Sequence, residues 1–415
     1  MNKFDIRAIE HERHALKQIK KTGSLFTCTN RENFIKKVDG KFIYFRTNHS
    51  KSIHKVPREH VRKAISFLLY KRSVTRQQLE KFHNFSSFLM GFLRLALVDI
   101  KQIARIQVLR TRAYRIVMKA IRFWFAGLDR DPQMMYMVGE YTQAPGNWIL
   151  MSYWNLRHDK HENWKKNARK HKCKILLDSG EFSYFKARRK LRAAQRLLAT
   201  MIEGTYQWSQ QLLMIEELRQ RVAPISIKEY AEFVKRHQDI LFGCFNLDVV
   251  GNPIRSKMNA NFLKSQGLNP IEIWHPQSGF EALGKLVSED HDLIAIGGLV
   301  FLSDEERTEV LDNVFALYPD QPFHILGCSS SALYRYPIHS SDSTGPIMGR
   351  RYLSLITETG HDKADVDHSW HEWNEDEALV FNIRQLSRLE EAYDGVQIEL
   401  VTPPVMHTGV QLTIF

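Results

Sequence analysis

The chain has 415 residues, of which 43% are apolar and 11% aromatic, enough for about two to three domains with hydrophobic cores. This composition excludes a mainly disordered protein. No run of about 18 uncharged apolar residues occurs, and charges interrupt the N-terminus where a secretory signal has its apolar segment. We therefore expect neither a membrane protein nor a secreted one. The four cysteines stand far apart without C-x-x-C spacing, which predicts reduced thiols in a cytoplasmic protein.

The net charge of +13 is unevenly distributed along the chain. Residues 1–133 contain 29 Lys and Arg against 10 Asp and Glu, whereas the remaining residues contain 30 against 36. A cationic excess confined to one third of a protein favours a polyanionic partner, with nucleic acid before a membrane surface. A solvated basic surface without a ligand stays the alternative, because charge runs alone are weak signals.

Apolar residues recur at helical spacing in the N-terminal third. The pattern predicts four helices, over 58–70, 75–82, 85–97 and 101–125. Thr75 and Gln78 have the spacing of a capping box, which fixes a helix start after a short turn. Such helices with a basic continuation resemble a helix-turn-helix or winged-helix module, in which cations hold phosphates. A helical interaction or dimerisation domain is the alternative, and the sequence leaves a homodimer open.

Five cations near the end of this third are the predicted phosphate contacts, because the third helix itself is almost entirely apolar and offers few side chains to read bases. They are Arg105, Arg110, Arg112, Arg115 and Lys119. The charge asymmetry does not distinguish DNA from RNA.

The sequence pattern changes at Asp131-Pro132, which predicts a basic domain over 1–133 and a second domain over 134–415. Short apolar runs then predict eight buried strands, over 134–138, 148–152, 174–177, 241–247, 271–274, 293–296, 323–326 and 336–341. Buried strands that alternate with helices indicate a parallel sheet, and eight of them are typical of an α/β protein with a TIM-like (β/α)8 barrel. A doubly wound open sheet is the competing arrangement. The segment 186–238 predicts a helical insertion after the third strand.

Polar residues and glycines follow most of the predicted strands. The runs lead into Asp178-Ser179-Gly180, Asp248, His275-Pro276-Gln277, Gly297-Gly298, Gly327 and Asp342-Ser343. In a barrel these strand ends form one rim, where ligands bind. A single Asp at such a position is most often a helix N-cap and a Gly a turn residue. Three carboxylates on the same rim, beside glycines that let a ligand approach the backbone, favour a functional site.

Four short stretches resemble motifs of the tRNA-guanine transglycosylase superfamily. They are Leu177-Asp178-Ser179-Gly180-Glu181-Phe182-Ser183, Ala295-Ile296-Gly297-Gly298-Leu299, His324-Ile325-Leu326-Gly327 and Ser341-Asp342-Ser343. Their order and spacing agree with the family over about 170–345. The similarity is greatest to the DpdA-type 7-deazaguanine DNA transglycosylases of phages and bacteria. This resemblance implies exchange of guanine in DNA for a 7-deazaguanine base of the preQ0 type, without a cofactor.

The resemblance also implies roles for the rim residues. Asp342 is the expected nucleophile toward C1′ of the sugar, and Asp178 the expected general acid and base. The expected contacts of the substrate base are Asp248, His275, Gln277, Gly297, Gly298 and Ser179. Because the reacting atom lies inside a base stack, the nucleotide must be flipped into the barrel mouth, while the basic third holds the duplex.

The sequence departs from the tRNA enzymes of this superfamily. Their C-x-C-x-x-C…H zinc motif follows the nucleophile, and no cysteine follows Asp342 here. Glu181 replaces a small glycine of the family motif. The C-terminal segment has a group of polar residues, His361, Asp362, Asp365, Asp367, His368 and His371. Their spacing matches no known metal site, which favours a solvated acidic loop, and we predict no metal.

Two other functions stay open at this stage. The same reaction on RNA is one of them, and the missing zinc motif speaks against it. The other is a nucleic-acid-binding barrel without catalysis, and the retained Asp178, Asp248 and Asp342 speak against that alternative.

Overall fold

The computed structural model describes residues 3–48, 50–97, 104–108, 114–118, 121–129, 132–142, 147–358, 360–363 and 374–391. The helices are α1 Lys3–Thr22, α2 Arg58–Lys71, α3 Arg76–Glu80, α4 Ser86–Ala96, α5 Pro132–Tyr141, α6 Tyr153–Leu156, α7 Asn163–Lys170, α8 Glu181–Leu198, α9 Tyr206–Arg221, α10 Ile227–Arg236, α11 Pro253–Ser265, α12 Gly279–Ser288, α13 Asp304–Leu317, α14 Ala332–Arg335, α15 Gly345–Tyr352 and α16 Glu375–Glu391. No described helix is long and apolar enough to cross a membrane.

The strands of the described residues form four sheets. They are β1 Ser24–Phe26, β2 Glu32–Val38, β3 Phe42–Thr47, β4 His54–Pro57, β5 Ser73–Thr75, β6 Ala104–Val108, β7 Tyr114–Met118, β8 Arg122–Ala126, β9 Asn147–Ser152, β10 Cys173–Asp178, β11 Leu241–Cys244, β12 Glu272–Trp274, β13 Ile294–Ile296, β14 Phe323–Ile325, β15 Ser340–Ser343, β16 Ser354–Thr357 and β17 Gly360–Lys363.

The N-terminal module, residues 3–118, mixes helices with two antiparallel sheets, whereas the sequence predicted a helical domain. One sheet runs β1-β2-β3-β4 and the other β5-β7-β6. The helices predicted over 58–70, 75–82 and 85–97 are confirmed as α2, α3 and α4. The Thr75–Gln78 capping box is also present: the Thr75 hydroxyl accepts from the backbone of Gln78, whose side chain accepts from the backbone of Thr75.

The helix predicted over 101–125 is wrong, because β6, β7 and β8 lie there. Its apolar runs are short and rich in β-branched and aromatic residues, and periodicity alone does not separate such runs from a buried helix. The strand predicted over 134–138 is also wrong. The helix α5 occupies this stretch, and Pro132 at its first position followed by methionines is a favourable helix start.

Eight parallel strands, β8 to β15, form a curled sheet consistent with a TIM-like fold. The strands follow one another around the sheet in chain order, which a doubly wound sheet does not do. The two edge strands are joined by a parallel bridge between Phe245 and Ile271. There the N–H of Asn246 donates to the Ile271 carbonyl at 2.8 Å, and the N–H of Ile271 donates to the Cys244 carbonyl at 2.8 Å. The first strand, β8, precedes the boundary that we predicted at 133/134.

Side chains alternate between the inside of the curled sheet and the helices outside. Ile149 and Met151 of β9 belong to the core under the surrounding helices. Trp148 and Leu150 of the same strand belong to a second core, shared with the N-terminal module. The helical insertion predicted over 186–238 is confirmed as α8, α9 and α10.

The N-terminal module packs against the end of the sheet where the strands begin. Arg72 donates to the carbonyl of His339, just before β15, at 2.7 Å. Arg115 donates to the carbonyls of Asp290 and His291, before β13, at 2.8 Å each. The module therefore lies at the opposite end from the polar rim, where the strands end.

Candidate active site

Three carboxylates occupy the rim formed by the carboxyl ends of the strands. Asp178 ends β10, Asp248 follows β11 and Asp342 lies near the end of β15. The helices after these strands have other N-cap residues, namely Gly180, Asn252 and Thr344. The three carboxylates are therefore not helix N-caps, which removes the structural explanation that the sequence left open.

Asp342 is held through one of its two oxygens. Its Oδ1 accepts from the N–H of Gly327 at 3.2 Å and lies 3.1 Å from Nε2 of His324. Nδ1 of His324 lies 2.9 Å from Oγ of Ser340. An ionised carboxylate can only accept, so His324 donates from Nε2 and its Nδ1 accepts from the serine hydroxyl. No described residue bonds to Oδ2 of Asp342, which leaves this oxygen for a reacting atom.

The sequence indicated His324 only as part of a strand motif. Its side chain is fully buried beside Phe245, with ring centroids 5.0 Å apart. A lone histidine within the apolar run 323–326 was the signal that could have identified it. Because His324 reaches the nucleophile candidate and is fixed by Ser340, it is a positioning residue for that carboxylate.

A second polar group joins Asp248 to the glycine loop. Nε2 of His275 lies 2.7 Å from Oδ2 of Asp248, and its Nδ1 is buried without a hydrogen-bond partner among the described residues. The loop Gly297-Gly298 passes close to this ring: a Cβ at Gly298 would lie 3.1 Å from Nδ1 of His275 and 3.5 Å from Oε1 of Gln277. Five of the six residues that we predicted to bind the base are therefore neighbours.

This arrangement leaves His275 ready to accept a hydrogen bond. When Nε2 donates to the carboxylate, the neutral ring has its lone pair on Nδ1. A buried acceptor without a partner costs free energy unless a ligand supplies a donor. The absence of side chains at Gly297 and Gly298 keeps space open beside it.

Asp178 lies in a tight turn that starts α8. Its Oδ2 accepts from the N–H of Gly180 at 3.0 Å, and Ser179 between them is fully buried. Gly180 has φ +86°, and a Cβ there would come within 2.4 Å of Cβ of Trp154. Burial, together with the negative charges of Asp248 and Asp342, raises the pKa of Asp178 to about 7. This carboxyl can hold a proton at neutral pH, as a general acid requires.

Glu181 adds a fourth carboxyl to the rim. Burial and the charge of Asp248 raise the pKa of Glu181 to about 7, although Arg188 and Arg255 oppose the shift. The sequence indicated this residue only as a departure from the family motif, because a Glu in the first turn of a helix is ordinary on dipole grounds. The structure brings it to the same rim as the three aspartates.

Of the five predicted phosphate contacts, the structure describes the side chain of only one, and that side chain is buried. Arg115 is wrong as a phosphate contact: it is buried and pairs with Asp292 at 3.2 Å, in addition to its two carbonyl partners. Its single charge is therefore used within the protein. Arg105 lies on β6, where only the backbone is described. Three others, Arg110, Arg112 and Lys119, lie outside the described residues.

The C-terminal polar group is only partly described. Nε2 of His361, on β17, lies 3.1 Å from Oγ of Ser329, which donates to Ser343 beside Asp342. Only the backbone of Asp362 is described, and Asp365, Asp367, His368 and His371 lie outside the described residues.

Elsewhere, Glu272, Glu289 and His291 have ligand atoms within 4.8 Å of one another. Lys257 contacts both glutamates, at 3.1 Å and 2.7 Å, and Lys264 reaches Glu272 at 2.6 Å. These ammonium groups neutralise the cluster, which argues against a cation there.

No protein-family model matches the chain, and no curated protein matches it.

Proposed function

We propose that this protein exchanges guanine in DNA for a 7-deazaguanine base through a covalent bond between Asp342 and C1′ of the sugar. The proposal rests on the convergence of Asp178, Asp248 and Asp342 on one rim, with their charges coupled so that Asp178 keeps its proton near neutral pH. The family resemblance of the strand-end motifs supplies the reaction, and the geometry supports the division of roles.

Asp342 suits the role of nucleophile. Attack on C1′ forms an ester-like bond from the carboxylate oxygen to the sugar and breaks the bond from C1′ to N9 of guanine. Hydrogen bonds from Gly327 and His324 to Oδ1 orient the group, while Oδ2 is the oxygen that attacks. Return of the electron pair to Asp342, when the incoming base attacks C1′, completes a double displacement.

Asp178 suits the role of proton carrier. A leaving guanine needs a proton as its bond to C1′ breaks, and an incoming base must lose one as its bond forms. With its pKa raised to about 7, Asp178 can give and take a proton in the same cycle. Glu181, with its pKa also raised to about 7, is the second group able to do this.

Five neighbouring residues support binding of a purine-like base. They are Asp248, His275, Gln277, Gly297 and Gly298. A carboxylate accepts N–H bonds from an amidine edge, and the unpartnered Nδ1 of His275 accepts a further N–H. Peptide groups of the glycine loop can contact the base closely because no side chains intervene.

Two points bear on the polymer. The chain has no cysteine after Asp342 to form the zinc site of the tRNA branch, which favours DNA over RNA. The order helix-strand-helix-helix-strand-strand over 58–118, with the sheet β5-β7-β6, is also compatible with the proposed winged-helix-like module. In this module α4 is largely buried, however, so its side chains do not offer a base-reading surface.

The test is nucleoside analysis by mass spectrometry. DNA and tRNA are isolated from cells that express wild-type protein or Asp342→Asn and that receive a 7-deazaguanine base. We expect a modified deoxyguanosine in DNA with wild type and none with Asp342→Asn. The modification in tRNA alone would select the RNA enzyme. Neither modification, from a protein that still binds nucleic acid, would favour the non-catalytic barrel.

A further inference from the structure

The helix α8 carries an unusual surplus of positive charge beside the rim. Its only acidic residue is Glu181, at its start. Six cations follow, all exposed: Lys186, Arg188, Arg189, Lys190, Arg192 and Arg196. Within the part of the chain that the structure describes, none of the six forms an ion pair.

Four of these cations and an aromatic ring lie on one stripe. Arg188, Arg192 and Arg196 follow one another at four-residue spacing, which places them about 6 Å apart along one face. Phe185 and Arg189 border the same concave surface, of about 440 Å³. Like charges at this spacing repel and weaken a helix. Their accumulation without counter-ions therefore indicates an anionic partner that runs along the helix.

Three phenylalanines connect this helix to the loop on the other side of the mouth. Phe182 and Phe185 of α8 meet Phe301, which follows the Gly297-Gly298 loop, with ring centroids 5.6 and 6.0 Å apart. All three remain open to solvent, with exposed fractions of 37%, 37% and 47%. Exposed rings beside arginines are the combination by which proteins bind single strands, with bases on the rings and phosphates on the cations.

From this combination we infer that α8 and the Phe182-Phe185-Phe301 cluster form the nucleic-acid surface of the site, with strand phosphates along the arginine stripe and an unstacked base on the rings. The inference deepens the proposed function and rests on it for the choice of partner. It places the polymer at the strand ends that bear Asp178 and Asp342. The basic N-terminal module instead contacts the end of the sheet where the strands begin.

The first experiment measures binding by fluorescence anisotropy as a function of salt. The probes are a labelled 20-nucleotide DNA strand, the same sequence as RNA, and the DNA duplex. The test variant is Arg188→Gln/Arg192→Gln/Arg196→Gln. The matched control is Lys17→Gln/Lys20→Gln/Lys21→Gln, which removes three exposed lysines from α1. Circular dichroism verifies that both variants are folded.

For the test variant we expect roughly tenfold or more weaker binding of the preferred strand. Its log–log salt slope should be smaller by about 2, because each phosphate that the protein no longer neutralises on a single strand reduces the slope by about 0.7. The control should keep the wild-type slope. The polymer that wild type binds most tightly at the same salt concentration is the preferred partner. An unchanged slope in the test variant, or an equal loss in the control, would overturn the inference. So would equally tight binding of anionic phospholipid vesicles that the same variant abolishes.

The second experiment tests the rings. Phe301→Leu keeps an apolar side chain but removes the stacking surface, so we expect it to weaken strand binding about as much as Phe301→Ala, by roughly tenfold. Phe26→Leu, at an exposed phenylalanine of β1, should bind as wild type does. Wild-type affinity in Phe301→Leu together with weak binding in Phe301→Ala would indicate a simple apolar contact and contradict stacking.

Binding and base exchange are measured separately, so the two proposals can fail separately. Loss of binding in the α8 variant, with no exchange by wild type, contradicts the proposed reaction and supports the surface. Exchange by wild type, with unchanged binding in the α8 variant, contradicts the surface alone.

Discussion

Asp342 and Asp178 are both carboxylates on the same rim, yet their surroundings differ. Asp342 accepts hydrogen bonds from an imidazole N–H and a backbone N–H, which orient one of its oxygens and leave the other without a partner among the described residues. Asp178 faces two other carboxylates and receives one backbone N–H, and its pKa is raised to about 7. Two like groups with opposite environments are the usual basis for separate nucleophile and acid roles.

Asp178→Asn should change how stability depends on pH. The folded pKa is about 7, whereas the unfolded chain has the ordinary value near 3.9. Between these values the unfolded chain loses the proton that the folded chain retains, so the stability of wild type falls as pH rises toward 7 and is level above it. Asparagine removes this loss. The free energy of unfolding of Asp178→Asn relative to wild type should thus increase by about 4 kcal/mol from pH 4 to pH 8.

Urea titrations at pH 4, 6 and 8 measure this difference. Asp320→Asn is the control, because Asp320 is exposed at a turn before β14 and should show no such trend. A relative stability of Asp178→Asn that stays constant from pH 4 to pH 8 would mean that Asp178 ionises normally and cannot serve as the acid at neutral pH.

Among the elements, the loops after the strands position the candidate site. The turn after β10 depends on Gly180, whose left-handed backbone lets the N–H reach Asp178 while the chain passes Trp154 at close range. The loop after β13 depends in the same way on Gly298, which has φ +79° and passes next to His275. A side chain at Gly180 or Gly298 meets both a backbone and a steric obstacle, whereas at Gly297 the obstacle is the His275 ring, 2.8 Å from an added Cβ.

Gly180→Ala should destabilise the protein more than an alanine at a glycine with the same backbone but free space. Gly267 provides that comparison, because its φ is +76° and nothing lies within 4 Å of an added Cβ. We expect a loss of about 1 kcal/mol for Gly267→Ala from the backbone alone. Gly180→Ala should lose at least about 2 kcal/mol, because Trp154 or the turn must move. Urea denaturation of both variants measures the difference, and equal losses would show that the close approach to Trp154 is not constraining.

Much of the sheet could be predicted from the sequence, because a strand buried on both faces leaves an uninterrupted apolar run. Seven of the eight predicted runs correspond to β9 to β15, although 336–341 overlaps β15 only at its start. The first strand, β8, was missed because its run Arg122–Ala126 continues a basic, helix-like pattern, and Met134 to Val138 was read as a strand in its place. Length and apolar content do not distinguish these two cases.

The candidate site was predictable where a residue follows a strand directly, as Asp178, His275 and Gly298 do. Contacts between distant residues were not predictable. His324 and Glu181 reach the rim only through the curl of the sheet and the turn at Gly180, and the burial of Arg115 depends on its packing against Asp292. A charge count could not distinguish this arginine from an exposed one.

At the scale of the whole molecule, the two ends of the curled sheet have different tasks. The N-terminal module covers the end where the strands begin, where buried Arg122 pairs with Glu390 of α16 at 2.6 Å and its guanidinium lies over the Trp148 ring at 3.7 Å. The opposite end holds the carboxylates, and α8 extends from it. On the proposed function, stability and chemistry are thus separated, as they are in TIM-like barrels generally.

Arg115→Met should affect stability and leave nucleic-acid binding unchanged. The variant removes a guanidinium that satisfies the carbonyls of Asp290 and His291 and pairs with Asp292, at a cost of about 3 kcal/mol in the free energy of unfolding. Arg31→Met, at an exposed arginine, should be nearly neutral. Urea denaturation and salt titration of binding measure the two effects. A smaller salt slope in Arg115→Met with unchanged stability would restore Arg115 as a phosphate contact.

The proposed covalent bond between Asp342 and C1′ can be detected directly by trapping it. Wild-type protein, Asp342→Asn and Asp178→Asn are incubated with labelled DNA and analysed on denaturing gels. We expect a covalent protein–DNA band with wild type and none with Asp342→Asn, which lacks the anionic oxygen but keeps the shape of the side chain. Asp178→Asn should form the band slowly, because proton transfer to the leaving guanine is impaired. A band that persists in Asp342→Asn, or base exchange by that variant at the wild-type rate, would contradict the assignment of Asp342 as the nucleophile.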